Sequence, residues 1–226
     1  MIIIGLKKMK SLSKRIEKIE QYLDYLIENP KCELNFSTDY ELLIAIVLSA
    51  QTTDKRVNQV TDILFSKYPD LDSLMNAKIV DLELILRPIG SFRKKALYVK
   101  EIATLLVKKF NSVVPKNRKI LESFPGVGRK TINVFLCEFC DYPAIAVDTH
   151  VERVSKRLLL AKSTDNVLDV ENKLKRKFMR KDWCKRHKQM VLFGRYYCKA
   201  INPMCDSCGL CGICKYYQKK IKQENA

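Results

Sequence analysis

Four cysteines near the carboxyl end of the chain are crowded closely enough to hold a metal centre. Cys198, Cys205, Cys208 and Cys214 have the spacing C-x6-C-x2-C-x5-C within a single short segment. Thiolates this close together bind a metal ion or a cluster. One compact loop favours an iron–sulfur cluster over zinc, whose sites often pair two separated C-x2-C knuckles. Cys211 adds a second possible set, C-x2-C-x2-C-x2-C, so the choice of the fourth ligand stays open.

A glycine pair lies between two stretches with helical patterns, at Phe-Pro-Gly-Val-Gly in positions 124–128. Gly126 and Gly128 permit positive φ and bring no side chain. The backbone N–H groups that begin the second helix, at Arg129, can therefore approach a phosphate oxygen. Such a contact binds the backbone of a nucleic acid independently of its base sequence. The alternative is an ordinary turn between two helices.

Lys130 lies in the first turn of that second helix and is a candidate nucleophile. A nucleophilic lysine must first lose its proton. The positive end of the helix dipole, the like charge of Arg129 and the removal of water in a closed site would each favour the neutral amine. The alternative is a lysine that contacts a phosphate, and the residues alone favour this alternative.

Asp148 follows the apolar segment 144–147 and precedes a helical pattern marked by Val151, Val154 and Leu158. Its plain structural role is that of an N-cap, which accepts a backbone hydrogen bond at the start of a helix. A carboxylate held in this way is also rigid, as a catalytic carboxylate must be. The residues alone favour the cap.

The charge balance indicates a polyanionic partner. The chain has 42 basic and 25 acidic residues, for a formal net charge of +17, and basic side chains release condensed counterions when they meet phosphates. The alternative is that lysine is abundant on all protein surfaces of the source organism, in which case the charge does not indicate a particular partner. A hydrophobic content of 47% excludes a disordered chain. The apolar run 42–50 is too short to span a bilayer, and the apolar residues 1–5 do not have the form of a signal peptide. We expect a soluble cytoplasmic protein without a membrane partner.

Helical periodicity predicts an all-α fold, because no segment alternates long enough to predict a sheet. Thr38 and Glu41 have capping-box spacing ahead of the apolar run. Ser91 is a candidate cap for a long helix. The predicted apolar stripe of that helix consists of Ala96, Val99, Ile102, Ala103, Leu106 and Phe110, and a further helix is marked by Val170, Leu174 and Phe178.

Taken together, these motifs resemble the endonuclease III family of the helix-hairpin-helix DNA glycosylase superfamily. The matching segments are Phe-Pro-Gly-Val-Gly-Arg-Lys-Thr at 124–131, Ala-Val-Asp-Thr-His at 146–150 and the four cysteines. Leu-Ser-Ala-Gln-Thr-Thr-Asp at 48–54 and the segment around Gly90 also resemble the family. The similarity runs from about residue 12 to residue 218. Each motif is moderately specific, and their order and spacing together are very specific.

The resemblance implies an all-α, two-lobed fold. It assigns residues 32–142 to a six-helix barrel domain that contains the helix-hairpin-helix, and residues 1–31 with 143–226 to an iron–sulfur cluster domain. It also implies a [4Fe-4S] cluster held by the four cysteines named above, with Cys211 as the rival for the fourth position. The cluster would order a basic loop in which Lys199 contacts a phosphate.

The resemblance further implies a bifunctional DNA glycosylase and AP lyase of base-excision repair. A damaged pyrimidine would rotate out of the duplex, and Lys130 would attack C1′ of its sugar. Asp148 would stabilise positive charge on the sugar and assist proton transfer. The resulting Schiff base would permit β-elimination at the 3′ side. The implied partner is double-stranded DNA with damaged pyrimidines or abasic sites, bound by a nucleoid-associated monomer.

The same resemblance assigns DNA contacts outside the catalytic pair. Gly126, Gly128 and Arg129 would bind the phosphate backbone. Gln51 resembles the residue that fills the gap left by the extruded nucleotide, and the alternative is a buried amide. Ser91 stands where the family often has a leucine that wedges into the base stack, so either another residue takes that role or the strand is distorted differently.

Three other functions compete with this one. An adenine-mismatch glycosylase shares the hairpin, the aspartate and the cluster, but it lacks a lysine at the position of Lys130 and normally carries a further carboxyl-terminal domain. A non-catalytic DNA-binding module would use Lys130 on a phosphate and Asp148 as a cap. An electron carrier would explain the cysteines but not the charge or the hairpin.

Overall fold

The computed structural model describes the backbone of residues 2–224 and the side chains of residues 12–223, so the side chains of the apolar residues 1–5 lie outside it. Within this range the chain is all-helical and contains no β-strand, which confirms the predicted fold class. None of the described helices is both long and apolar enough to cross a membrane. The helices are α1 (Ile2–Leu26), α2 (Asp39–Leu48), α3 (Asp54–Lys67), α4 (Leu71–Asn76), α5 (Ile79–Leu86), α6 (Phe92–Phe110), α7 (Arg118–Leu121), α8 (Arg129–Phe139), α9 (Thr149–Arg157), α10 (Val167–Lys177), α11 (Trp183–Tyr196) and α12 (Lys215–Glu224).

The helices form two compact units. Residues 32–142 make one of them, which we call the hairpin unit, and residues 1–31 together with 143–226 make the other, which we call the cysteine unit. Each unit has its own cluster of buried apolar side chains.

Helix α2 is the centre of the hairpin unit. Thr38 and Glu41 form the predicted capping box: the Glu41 N–H donates to the Thr38 hydroxyl at 3.3 Å, and the Thr38 N–H donates to the Glu41 carboxylate at 3.2 Å. All residues from 42 to 48 are buried. A helix that is apolar on every side must be covered on every side, and α3, α6 and α8 pack against it.

Helix α6 forms the second layer of the hairpin unit and carries the predicted apolar stripe. Its residues Ala96, Val99, Ile102, Ala103 and Leu106 are all buried, which confirms the predicted helix, and α4 and α5 pack against it. The prediction that Ser91 caps α6 with its side chain is wrong. A capping side chain requires extended backbone at the N-cap, whereas Ser91 has a left-handed backbone with φ of 57° and makes no side-chain capping bond.

The cysteine unit is built on α9 and α11, which pack against one another, with α10 against α9 and α1 against α11. The predicted apolar patterns on α9 and α10 are confirmed, because their side chains are buried in the core of this unit. These side chains are Val151, Val154, Leu158, Val170, Leu174 and Phe178.

Polar side chains of α11 hold the end of α1. Gln189 is fully buried, and its amide donates to the backbone carbonyls of Leu23 at 3.2 Å and Ile27 at 2.9 Å. The Leu23 carbonyl also accepts from the Ile27 N–H at 2.9 Å, so Gln189 adds a second donor there and a donor for Ile27 just beyond the helix end. The buried guanidinium of Arg186 donates to both oxygens of Asp24, at 2.7 and 3.0 Å. Arg186 holds the pKa of the Asp24 carboxyl well below its ordinary value, with Lys185 and Gln189 acting in the same direction.

We expect Asp24→Asn to lower the free energy of unfolding by about 1–3 kcal/mol at pH 7. Breaking a fully buried ion pair costs about 3–5 kcal/mol, and the Asp24 side chain is 38% exposed, which reduces that cost. Because the folded state depresses the pKa of Asp24, its contribution is complete above the ordinary value of 3.8 and is lost as the pH falls through the folded-state value. Urea unfolding of both proteins between pH 7 and pH 3 measures the difference.

The matched control is Glu17→Gln, which removes an exposed carboxylate from the same helix. This control should leave the unfolding midpoint nearly unchanged at every pH. An equal loss of stability in the control, or a loss in Asp24→Asn that stays constant down to pH 3, would contradict the assignment.

Candidate functional site

The glycine hairpin joins α7 to α8, and only one of its glycines has positive φ. Gly126 has φ of +74°, and a Cβ atom placed there would lie 2.6 Å from the Tyr98 ring and 3.0 Å from Val47. Glycine is therefore required at this position for both conformation and space. Gly128 has extended backbone, with φ of −101° and ψ of 179°, and a Cβ there would meet nothing within 4 Å. Of the two glycines, only Gly126 uses the positive φ that glycine permits.

The start of α8 faces solvent. Gly128 precedes the helix and brings no side chain that would cap it or block the approach of a ligand. Arg129 and Lys130 follow in the first turn, and both are exposed. A helix start with two cationic side chains suits an anionic ligand such as a phosphate group.

A second candidate contact lies at the end of α2, where Gln51 is exposed on a tight turn. Its φ of +55° is in the left-handed region, which is uncommon for residues other than glycine. The alternative that Gln51 is a buried amide is therefore wrong. Ser91 is also exposed and left-handed, with φ of 57°.

The turns around Gln51 and Ser91 border one open groove. Its volume is about 620 Å³, and its walls come from residues 51–59 on one side and residues 88–90 on the other. The lining side chains are polar on the first wall, where Thr52, Arg56 and Gln59 accompany Gln51. Gln51 and the segment around Gly90, two of the segments that the sequence assigned to DNA contact in this unit, thus border the same groove.

Lys95 supports this surface and was not identified from the sequence. Its side chain is buried, with only 5% exposed. Its ammonium donates to the Ala50 carbonyl at 2.8 Å and to the Thr52 hydroxyl at 3.1 Å. Burial lowers the pKa of Lys95. The available signal was its spacing, because Lys95 lies four residues before Val99 and so falls on the buried stripe of α6.

In the cysteine unit, Asp148 caps α9 as predicted. Its Oδ1 atom accepts from the Val151 N–H at 2.8 Å, and the preceding residues 144–147 are buried. Both the carboxylate and the segment that leads to it are therefore rigidly held. His150 lies against α11, because a Cβ on Gly194 would approach the Cβ of His150 to 2.8 Å.

The predicted cysteine ligands line one cavity. Cys198, Cys205, Cys208 and Cys214 surround a space of about 400 Å³, and Cys211 also reaches it. Apolar and aromatic side chains make up most of the remaining wall: Tyr22, Leu26, Leu158, Phe193, Tyr197, Met204, Tyr216 and Tyr217. No three His, Cys, Asp or Glu side chains of the described residues converge as ligands of a single metal ion. Thiols that surround a cavity suit a multi-atom cluster better than one ion.

Two of the thiols in this cavity, Cys205 and Cys208, have a pKa above the ordinary value. Burial raises the pKa of Cys205 and Cys208, and the neighbouring thiols Cys198 and Cys214 act in the same direction. Crowded thiols become thiolates readily only when a metal supplies positive charge. The donor set therefore fits a metal cluster chemically as well as sterically.

Arg157 ties the cavity to the loop that carries Lys199. Its guanidinium donates to the Cys198 sulfur at 3.3 Å and to the Lys199 carbonyl at 2.7 Å, and it stacks 3.9 Å from the centre of the Tyr216 ring. Lys199 itself is exposed. The loop is thus anchored by its backbone, while the lysine side chain remains available to an external ligand.

Comparisons with known proteins agree with this arrangement. Residues 44–180, more than half of the chain, match the family described as HhH-GPD superfamily base excision DNA repair protein. Endonuclease III of Bacillus subtilis is 40% identical over 93% of this chain and 96% of that protein. Endonuclease III of Rickettsia conorii is 39% identical over 89% of this chain and 96% of that protein.

Solved structures give the same assignment. A non-covalent endonuclease III–DNA complex has a TM-score of 0.89 and 42% identity, covering 93% of this chain and 98% of that one. A trapped covalent endonuclease III–DNA intermediate, in an estranged-adenine complex, has a TM-score of 0.86 and 42% identity, covering 91% and 98%. The chain therefore belongs to the HhH-GPD superfamily of base excision DNA repair proteins and, within it, to the endonuclease III family.

Proposed function

We propose that this protein is a bifunctional DNA glycosylase and AP lyase that removes oxidised pyrimidines from double-stranded DNA as a monomer. The observation that carries the proposal is an exposed lysine, Lys130, in the first turn of the hairpin helix α8. The chain that carries this lysine belongs to the endonuclease III family. A primary amine beside a phosphate-binding helix start can reach the sugar of a nucleotide whose backbone that helix holds.

The proposed reaction begins when the target nucleotide leaves the duplex. The unprotonated amine of Lys130 attacks C1′, the bond from C1′ to the base breaks, and the base departs. The iminium formed after the sugar ring opens acidifies the 2′ proton. Loss of that proton expels the 3′ phosphate by β-elimination. At an existing abasic site the same amine condenses with the C1′ aldehyde and releases water.

We assign Asp148 to the same reaction. Its Oδ1 atom is used by the cap on Val151, which fixes the carboxylate and leaves Oδ2 for another partner. A fixed carboxylate stabilises positive charge that develops on the sugar and can move a proton during base departure. The adenine-mismatch alternative requires the absence of a lysine at position 130, so Lys130 favours the bifunctional reaction.

Borohydride trapping tests the role of Lys130. With duplex DNA that contains thymine glycol or an abasic site, we expect a covalent protein–DNA adduct that is absent in Lys130→Ala. The control is Lys119→Ala, which removes an exposed lysine from the neighbouring helix α7 and should still be trapped. A DNA-binding module would give no adduct in either variant, and a monofunctional glycosylase would release base without one.

Asp148→Asn separates the cap from the chemistry. Asparagine caps helices about as well as aspartate, so the melting temperature should stay close to that of the unchanged protein. The single-turnover rate of base release should fall about 10²–10⁴-fold, as expected when a group that acts in acid–base catalysis is removed. If Asp148→Asn keeps the full rate of base release, the role of Asp148 is limited to capping α9.

We propose that Cys198, Cys205, Cys208 and Cys214 hold a [4Fe-4S] cluster. Such a cluster, when bound, supplies a rigid core linking four thiolates, and the proposed reaction routes no step through it. The cavity size and the crowding of the thiols support the assignment. Arg157 then joins the Cys198 sulfur to the backbone of the Lys199 loop, so that Lys199 can be presented to a phosphate.

Visible absorbance tests the choice of ligands. Cys205→Ser should abolish the absorbance of the iron–thiolate bands and the iron content of the purified protein, because a lost thiolate leaves the cluster incompletely held. Cys211→Ser is the matched control in the same cavity and should retain both. Bleaching in Cys211→Ser with retention in Cys214→Ser would move the fourth ligand to Cys211.

We also propose that the hairpin residues Gly126, Gly128 and Arg129 bind the phosphate backbone. Gln51 and Ser91 then contact the duplex at the extruded nucleotide. The exposure of these residues and the groove of about 620 Å³ beside Gln51 support this assignment. The net charge of +17 favours such a partner.

A further inference from the structure

Lys95 lies beneath the turn that presents Gln51. Its ammonium donates to the carbonyl of Ala50 at 2.8 Å and to the hydroxyl of Thr52 at 3.1 Å, so its two acceptors flank Gln51 on both sides. Gln51 itself is exposed with φ of +55°. The buried lysine thus binds the residue before and the residue after the one that projects outward.

A buried lysine of this kind is costly to keep. The Lys95 side chain is 5% exposed, and burial lowers its pKa. Both acceptors of its ammonium are neutral oxygens. They offset the free energy lost with the hydration of the ammonium less than a carboxylate would. The left-handed backbone at Gln51 is also unfavourable for an L-residue. Two unfavourable features at one place indicate that the turn conformation itself is needed.

Lys95 also connects to the second turn of the groove. Its backbone N–H donates to the Ser91 carbonyl at 3.0 Å, in the first turn of α6. Ser91 is left-handed as well, with φ of 57°. One residue therefore bonds through its backbone to the turn at 90–91 and through its side chain to the turn at 50–52.

The groove between these turns has the chemistry to receive an unpaired base. Gln51 and Gln59 present amide groups that both donate and accept hydrogen bonds. The edge of a base that has lost its partner offers donors and acceptors of the same kind. A groove of about 620 Å³ that is open to solvent leaves room for such an edge.

We propose that Lys95 is a positioning residue that holds Gln51 in the conformation that receives the unpaired base opposite the lesion. This inference rests on the proposed glycosylase function, because it requires an extruded nucleotide. Lys95 does not touch the reacting atoms; it acts through the turn.

Lys95→Met tests the proposal, because methionine fills similar space but cannot donate. Base release is measured in single turnovers on two duplexes, one with a normal base opposite the lesion and one with an abasic analogue there. We expect the first rate to fall at least 10-fold and the second to change less than about 3-fold. A merely structural role would lower both rates by the same factor, which would overturn the proposal, as would no change in either.

The matched control is Lys94→Met, which removes the adjacent exposed lysine of the same helix and should preserve the ratio of the two rates. If Lys95→Met does not fold, Thr52→Val removes one of the two acceptors and should lower the same ratio by a smaller factor. An unchanged ratio in Thr52→Val would then overturn the proposal.

Coupling with Gln51 provides a second readout. In a double-mutant cycle, Lys95→Met should add less than about 2-fold to the loss caused by Gln51→Ala, because both act through one contact. Fully multiplicative effects would contradict the proposal. If the proposed glycosylase function itself is wrong, the protein without substitutions releases no base from either duplex. That outcome is distinct from a failure of the Lys95 proposal.

Discussion

The stability of the hairpin unit depends on the burial of α2 from Leu42 to Leu48. A helix covered on every side cannot leave the polar groups of its ends to water, so each end needs partners from the protein. At its start the Thr38–Glu41 capping box supplies them, and the Asp39 carboxylate also accepts from the N–H of Val114 at 2.8 Å. Just beyond the other end of α2, the Lys95 ammonium donates a hydrogen bond to the Ala50 carbonyl. The surfaces assigned to DNA are built around this second end.

Three residues of the hairpin unit with left-handed backbone lie where α2 and α6 meet these surfaces. Gln51 follows α2, Ser91 precedes α6, and Gly126 lies over Tyr98 of α6 and Val47 of α2. All three have positive φ, yet only one of them is glycine. Left-handed backbone at the other two is tolerated because neighbouring packing and hydrogen bonds hold it. Helix α6 is the common support, with Lys95 under one turn and Tyr98 under the hairpin.

Local patterns in the sequence were sufficient for most of the fold and for several site residues. The capping box at Thr38, the stripe of α6 and the cap at Asp148 depend on residues three or four apart, so spacing alone predicts them. The spacing of Lys95 indicates only that it lies on the buried stripe of α6; its partners could not be predicted in this way, because its acceptors lie 43 and 45 residues distant in the chain. The different roles of Gly126 and Gly128 escaped prediction for the same reason, since only the packing of Tyr98 against the hairpin distinguishes them.

In the cysteine unit, α9 connects the candidate catalytic carboxylate to the cysteine cavity. Asp148 begins the helix, while Arg153 and Arg157 near its end donate to the Cys198 carbonyl, at 3.1 and 3.3 Å. A helix of this length spans about 14 Å at about 1.5 Å per residue, so the cavity is remote from the carboxylate along its axis. Helix α9 therefore provides a connection between order in the cysteine loop and Asp148. Such a connection suits a cluster that maintains structure and leaves the chemistry to side chains.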